Sequence, residues 1–243
     1  MSAATRAEVC VAACADAWRG DGAVLASAFG VVPTLGARLA KATFEPDLLV
    51  SDGEALLIGN TLPWGSSDKL VEGWLPFRSV FDTVWGGRRH VMMGATQIDR
   101  HGNQNISCIG DWLKPAKQLI GVRGAPGNTV NHATSYWIPR HAPRTFVERV
   151  DMVCGVGTDR DAADMRRVVT NLCVLDFEGP DRSMRVRSVH PGVNVDEVKS
   201  NTGFELALPP DGVPETRMPA DDELKLIRED LDPRSARDGE VPL

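Results

Sequence analysis

Apolar and polar positions along the chain divide it into alternating strand-like and helix-like runs. Thr5-Arg6-Ala7-Glu8 opens the first element as a capping box, with Thr5 able to cap and Glu8 able to reach back to the first turn. An alanine-rich helix follows to about Trp18 and is closed by Gly20. Ala23 to Phe29 is a short apolar strand. Val31-Val32-Pro33 leads into a second helix over Thr34 to Thr43, and Leu48-Leu49-Val50 is a strand broken by Ser51-Asp52-Gly53. Strand, helix and strand in that order predict a parallel βαβ unit.

Gly59 to Pro76 shows no period and carries Trp64 and Trp74, so it is read as irregular. From Pro76 to Trp85, Phe77, Val80, Phe81, Val84 and Trp85 fall at helical spacing, a stripe expected to pack in the core and ended by Gly86-Gly87. His90 to Met93 is a strand feeding an alternating stretch from Ala95 to Ile109. Its centre, Arg100-His101-Gly102-Asn103, reads as a hairpin turn, because Gly and Asn tolerate positive φ. The glycine-rich segment Gly121 to Asn128 then precedes a helix expected over Asn128 to Ser135. Tyr136 to Ile138, Phe146 to Val150, Val153-Cys154, Val169 to Phe177 and Met184 to Val189 read as extended. Asn194 with Glu197 resembles a second capping box on a short helix stopped by Asn201-Thr202-Gly203. Asp221 to Leu231 places Leu224, Ile227 and Leu231 on one helical face, inside an acidic tail over 209–243 that is expected to pack on the domain or a partner, with a disordered end after Asp232. The pattern predicts one α/β domain spanning 1–243: an open, mainly parallel sheet with flanking helices and a helical tail.

The 243 residues, 42% hydrophobic and 25% charged, are enough for a substantial core. Net charge is −6 and no basic stripe is present, which argues against nucleic acid. No apolar run reaches membrane-spanning length, and the N-terminus lacks a secretory pattern, so the chain is expected in the cytoplasm and off the membrane. The five cysteines (Cys10, Cys14, Cys108, Cys154, Cys173) lie among apolar residues without C-x-x-C spacing and read as buried reduced thiols. The histidines show no ligand spacing, so no metal is expected.

Two segments carry candidate chemistry. Gly124-Ala125-Pro126-Gly127 matches neither a phosphate-binding G-x-x-x-x-G-K-[ST] loop nor G-x-G-x-x-G. Successive amides before a helix could hold an anionic oxygen, or the segment is a plain turn. Asn128 and His132 are spaced i, i+4, so both could face one pocket if the helix begins there. Ser51-Asp52-Gly53-Glu54 follows a short parallel strand, where open α/β sheets place ligands, or it is a surface turn.

Gly94-Ala95-Thr96-Gln97-Ile98-Asp99-Arg100-His101-Gly102-Asn103-Gln104-Asn105 resembles the G-A-x-Q-V-D-x-x-G-N-x-N hairpin of the β subunits of family I coenzyme A transferases, the group that includes glutaconate CoA-transferase. Gly110-Asp111-Trp112, Phe146 to Asp151, His190-Pro191-Gly192-Val193, Asn201-Thr202-Gly203-Phe204 and the tail around Leu226 to Pro233 extend the likeness over nearly the whole chain. The resemblance implies a CoA-transferase-like fold and a homologous α subunit in an α₂β₂ assembly. It also implies an acyl-CoA substrate, with no cofactor beyond the coenzyme A that the substrate carries.

Counting back from Pro63-Trp64, which match the family's P-W, Ser51 stands where the family's catalytic glutamate would be. Serine cannot form the acyl anhydride through which those enzymes shuttle coenzyme A. Pro126 also removes one amide from the family's G-x-G-G loop. This combination looks like the branch of the family that opens the last steroid ring in bacterial cholesterol degradation. It implies hydrolysis of a cyclic β-keto acyl-CoA, with the principal glutamate supplied by the α subunit and no certain catalytic residue in this chain. On that reading Gly124, Ala125, Gly127 and Asn128 would stabilise an oxyanion, and Asn131 and His132 would help hold the thioester or keto acid. Ser51 would leave room for the ring or position water, with Asp52 beside it and Trp64 lining the pocket. A transferase using Asp52 or Glu54, and a non-catalytic scaffold subunit, are the alternatives.

Overall fold

The structure, a computed structural model, describes residues 3–53 and 55–241. The chain divides into two compact units, one made of the residues up to Met93 together with those from Thr216 onward, the other of Gly94–Glu215.

In the first unit, α1 (Arg6–Asp16) starts on the expected capping box: Thr5 Oγ1 accepts from Glu8 N at 3.3 Å, and Thr5 N donates to Glu8 Oε2 at 2.8 Å. Strand β1 (Leu25–Ala28) leads through α2 (Val31–Thr43) to β2 (Leu49–Ser51). Then come β3 (Leu56–Ile58), β4 (Val71–Trp74), α3 (Phe77–Gly86) and β5 (Arg89–Met93). β1 runs parallel to β2 and to β5, confirming the βαβ unit, while β3 and β4 continue the sheet antiparallel. α1 lies close on α2, since a Cβ added at Gly36 would fall 2.7 Å from Cys14 Cβ.

Three expectations change here. α2 begins at Val31 rather than Thr34, because Gly30, at φ 118°, turns the chain out of β1 and Pro33 is tolerated in a first turn. The stretch from Gly59 to Pro76 contains β4, whose pairing with β3 is not signalled by any alternation of burial. The apolar stripe of α3 is not core: no residue of that helix is buried, Phe77 is 79% exposed and Trp85 70%. Periodicity reveals an apolar face, not what lies against it.

In the second unit, β6 (Gln97–Ile98) and β7 (Gln104–Asn105) form the expected hairpin. Gly102 has φ 82°, and Asp99 Oδ1 accepts from the amides of His101 at 3.0 Å and Asn103 at 3.1 Å. A second ribbon pairs β8 (Cys108–Ile109) with β9 (Lys117–Gln118). α4 (Ala125–Asn131) precedes β10 (Ala133–Ile138), which is parallel to β11 (Asp164–Thr170); β12 (Cys173–Asp176) and β13 (Arg185–Val189) extend this sheet antiparallel. α5 (Val195–Ser200) is capped by Asn194, whose Oδ1 accepts from Glu197 N at 2.7 Å.

α4 therefore starts three residues before the expected Asn128 and stops at Asn131, because His132 is already extended and Thr134 and Ser135 lie in β10. The run Val169 to Phe177 is two strands rather than one, turned where Thr170 Oγ1 accepts from Leu172 N and Cys173 N, both at 3.0 Å. Phe146 to Val150 is not a strand; Phe146 makes one bridge to Ile98.

The tail returns to the first unit. α6 (Asp221–Lys225) continues as a π-helical turn over Leu226–Leu231, and Leu224, Ile227 and Leu231 are buried as the spacing predicted. Beyond Asp232, where disorder was expected, the chain is packed. Arg237 is buried against Asp232 and Glu8, and Glu240 accepts from Val31 N at 2.7 Å and Val32 N at 2.9 Å at the start of α2. The polar residues that read as solvated close helix ends and ion pairs instead. All five cysteines are buried, as the sequence suggested. Among the described residues no helix is long and apolar enough to cross a membrane.

Candidate active site

β1 and β2 are parallel, so their carboxyl ends open on the same edge, where ligands sit in open α/β sheets. At that edge lies a cavity of about 250 Å³. Ala28 and Phe29 reach it from the end of β1, Ser51 and Asp52 from the end of β2, and Thr34 and Arg38 from successive turns of α2. Trp64 lines it as well. A second cavity, of about 190 Å³ and bordered by Arg89, also touches Phe29, Ser51 and Gly53, so Ser51 stands where the two meet.

The polar groups of this edge have distinct duties. Asp52 is a structural acid: its Oδ1 accepts from Ala55 N at 3.1 Å and Leu56 N at 3.0 Å, and its Oδ2 pairs with Lys69 Nζ at 2.8 Å. A carboxylate so occupied is a poor nucleophile, since attack would break the turn it holds. Ser51 Oγ accepts from Gly53 N at 3.2 Å, and its short side chain leaves the cavity open. Glu54, the other acid of this turn, lies outside the described residues. Arg38 Nη1 donates to Leu62 O at 2.7 Å, and burial pushes its guanidinium pKa down.

The glycine-rich loop belongs to the second unit and differs from its expected form. Ala125 N donates to Val122 O at 3.1 Å and Asn128 N to Gly124 O at 2.9 Å, while Pro126 has no N–H. Ala125, Gly127, Asn128 and His132 are buried, whereas Asn131, which would help hold the thioester or keto acid, is exposed. Thr129 explains the burial: its Oγ1 bonds Ala125 O at 3.2 Å and receives Val156 N at 3.0 Å, seating α4 in the unit.

The motif residues of the hairpin are likewise spent on structure. Gln97 donates to Asp151 Oδ2 at 3.0 Å, Asn105 to Gln97 Oε1 at 2.7 Å, and Gly110 N to Asp151 Oδ2 at 2.8 Å. Asn103 Nδ2 donates to both oxygens of Asp99. Burial pushes the Asp99 carboxyl pKa upward against these bonds. His141 bonds Thr202 Oγ1 at 2.9 Å and stacks on Phe146 at 3.9 Å. These blocks define the frame of the second unit, and the cavity at Ser51 lies in the first.

Arg38 and Thr34 escaped the sequence reading. Their signal was positional: residues on the inner face of the crossover helix that follows β1 stand over the carboxyl end of the strand. Among the described residues no group of three His, Cys, Asp or Glu is placed to hold a metal ion.

Residues 79–201 match the family model for coenzyme A transferases. The chain is 54% identical over 246 residues to the cholesterol ring-cleaving hydrolase IpdB subunit of Rhodococcus jostii, covering 98% of this chain and 96% of that one. To the IpdB subunit of Mycobacterium tuberculosis it is 50% identical over 247 residues, covering 98% of each. The crystal structure of Rhodococcus jostii RHA1 IpdAB superposes with a TM-score of 0.95 at 52% identity over the full length of both chains. The chain belongs to the coenzyme A transferase family, and its mostly parallel sheet with flanking helices is that family's fold.

Proposed function

We propose that this chain is the β subunit of a cytoplasmic hydrolase that opens the last ring of a steroid-derived cyclic β-keto acyl-CoA in cholesterol catabolism. The observation that carries the reading is the occupant of the cavity at the end of β2. Ser51 lines that cavity, at what the resemblance makes the family's glutamate position, and the neighbouring Asp52 is committed to Lys69 and the turn. The similarity to the cholesterol ring-cleaving IpdB subunits over 98% of the chain supports it.

The reaction is a hydrolytic carbon–carbon cleavage. A carboxylate of a homologous α subunit, in an α₂β₂ assembly, takes a proton from water as the oxygen adds to the ring ketone. The ring bond breaks, its electron pair passes to the carbon next to the thioester as an enolate, and that carbon is then protonated. The former ketone carbon ends as a carboxylic acid at the far end of the same, now opened, molecule. No cofactor is needed, because the thioester itself is the electron sink. In this chain Ser51 leaves room for the ring and for water, and Trp64 forms a wall.

The test is co-expression with the α subunit and supply of the cyclic β-keto acyl-CoA. Release of an acyclic acyl-CoA bearing a new carboxylate is expected. Transfer of coenzyme A to a free acid without ring opening would overturn the reading.

A further inference from the structure

We infer that Arg38 binds the carboxylate that ring opening creates. The inference rests on the hydrolytic reading. In that reaction the oxygen of water forms a bond to the ketone carbon, the ring bond breaks, and the ketone carbon ends as a carboxylic acid that ionises. The site must therefore accommodate an anion that the ring substrate does not carry at that position.

Several arginines of the chain are paired with acids. Arg228 and Arg237 pair with Glu8, Arg217 with Asp16 and Glu223, and Arg185 with Asp176. Arg38 is half-buried and has no carboxylate partner among the described residues; its bond is to the carbonyl of Leu62. The acid closest in sequence position around the cavity, Asp52, is occupied by Lys69 and two backbone amides. A guanidinium offers five N–H donors in a planar fork that matches a carboxylate, and one of them is used here. Burial depresses its pKa with no acid to offset the effect. The donors of Arg38 not used on Leu62 are not buried and stand on a cavity whose acid, Asp52, is already taken, so a carboxylate carried by the ligand can take them. Arg38 stands at the carboxyl ends of β1 and β2, in the cavity that Ser51 lines. A carboxylate at Ser51 would reach the thioester carbonyl, and in a β-keto acyl-CoA the ring ketone is only two carbons further on, so both fall in this cavity.

Coenzyme A carries phosphates, a second source of anionic oxygen, and the experiment separates the two. With the assembled wild-type complex, inhibition constants are measured for the ring-opened acyl-CoA, for the same compound with its new carboxylate converted to a carboxamide, and for free coenzyme A. The carboxylate is expected to bind roughly 10- to 100-fold more tightly than the amide, the range of a charge-assisted pair. Arg38→Gln is expected to erase that difference, to lower kcat/KM for ring opening by a similar factor, and to leave inhibition by coenzyme A unchanged. Arg38→Lys, which keeps the charge and loses the fork, should recover part of the preference.

Equal binding of carboxylate and amide by the wild type would overturn the inference, and that comparison stands even if the glutamine variant does not assemble. Equal weakening of all three ligands by Arg38→Gln would assign the residue to the coenzyme A phosphates or to folding, and would overturn it too. Absence of ring opening by the wild type is a separate failure, that of the hydrolytic reading.

Discussion

Arg228 and Glu8 form a bidentate pair, Nε to Oε1 at 2.7 Å and Nη2 to Oε2 at 2.8 Å, joining the tail to the first helix across 220 positions of sequence. Arg237 shares the same carboxylate at 2.9 Å. Glu8 is fully buried, so deleting it strands guanidinium charge beside α1. Glu8→Ala is expected to destabilise the protein by about 3 kcal/mol and to lower Tm by on the order of 10 °C, read by differential scanning calorimetry. A variant that melts with the wild type would show that the tail is held by its apolar face alone.

The same carboxylate makes the protein acid-sensitive. Burial alone would raise the Glu8 pKa, but hydrogen bonds from Arg228 and Thr5 N, with the charges of Arg237 and Arg228, hold it at about 2 against an ordinary 4.5. Burial pushes His141 down to about 3 from 6.5. In both cases the unfolded chain takes up a proton at a higher pH than the folded one. Stability is then lost as pH falls, from 6.5 towards 3 through His141 and from 4.5 towards 2 through Glu8. Urea midpoints measured from pH 7 to pH 3 should decline throughout. A flat profile between pH 6.5 and 4 would contradict the burial of a neutral His141.

Gly102 combines φ 82° with a side-chain position already filled: an added Cβ would lie 2.8 Å from Met165 Cε and 2.9 Å from Phe177 Cε1. Gly102→Ala is expected to cost about 1–3 kcal/mol, through the left-handed backbone and the crowding together. Chemical denaturation would measure it, and a loss below about 0.5 kcal/mol would mean that the hairpin relaxes freely.

Trp74, Phe77 and Trp85 present aromatic surface on β4 and α3, each at least 70% exposed. Exposed patches of this kind mark binding surfaces. The double variant Phe77→Ser with Trp85→Ser is expected to weaken co-purification with the α subunit by roughly tenfold or more, as loss of aromatic anchors does. Its far-ultraviolet circular dichroism should stay unchanged. Undiminished co-purification would place the partner elsewhere.

The occupied state of Asp52 predicts the outcome of trapping. Incubation of the complex with acyl-CoA, followed by borohydride or hydroxylamine, should leave the mass of this chain unaltered. A covalent adduct on Asp52 or Glu54 would restore the transferase alternative.

Much of the fold could be read from residues close together in sequence. The capping box at Thr5, the positive-φ turn at Gly102, the βαβ order of β1, α2 and β2, and the apolar face of Leu224, Ile227 and Leu231 each depend on a few neighbouring residues, whose backbone and side-chain preferences act locally. That a serine stands at position 51 was equally visible, because a residue's identity requires no coordinates. What lies against each face was decided only when distant segments met. The stripe of α3 has the periodicity of a core helix and remains exposed. Asn128 and His132 have the spacing of a shared pocket and are buried, while Asn131 beside them is not. Glu240 closes α2 from 209 positions away, and Arg38 is distinguished by the acids that its surroundings lack. Burial and pairing are properties of surfaces brought together, and no local pattern encodes which surfaces those are.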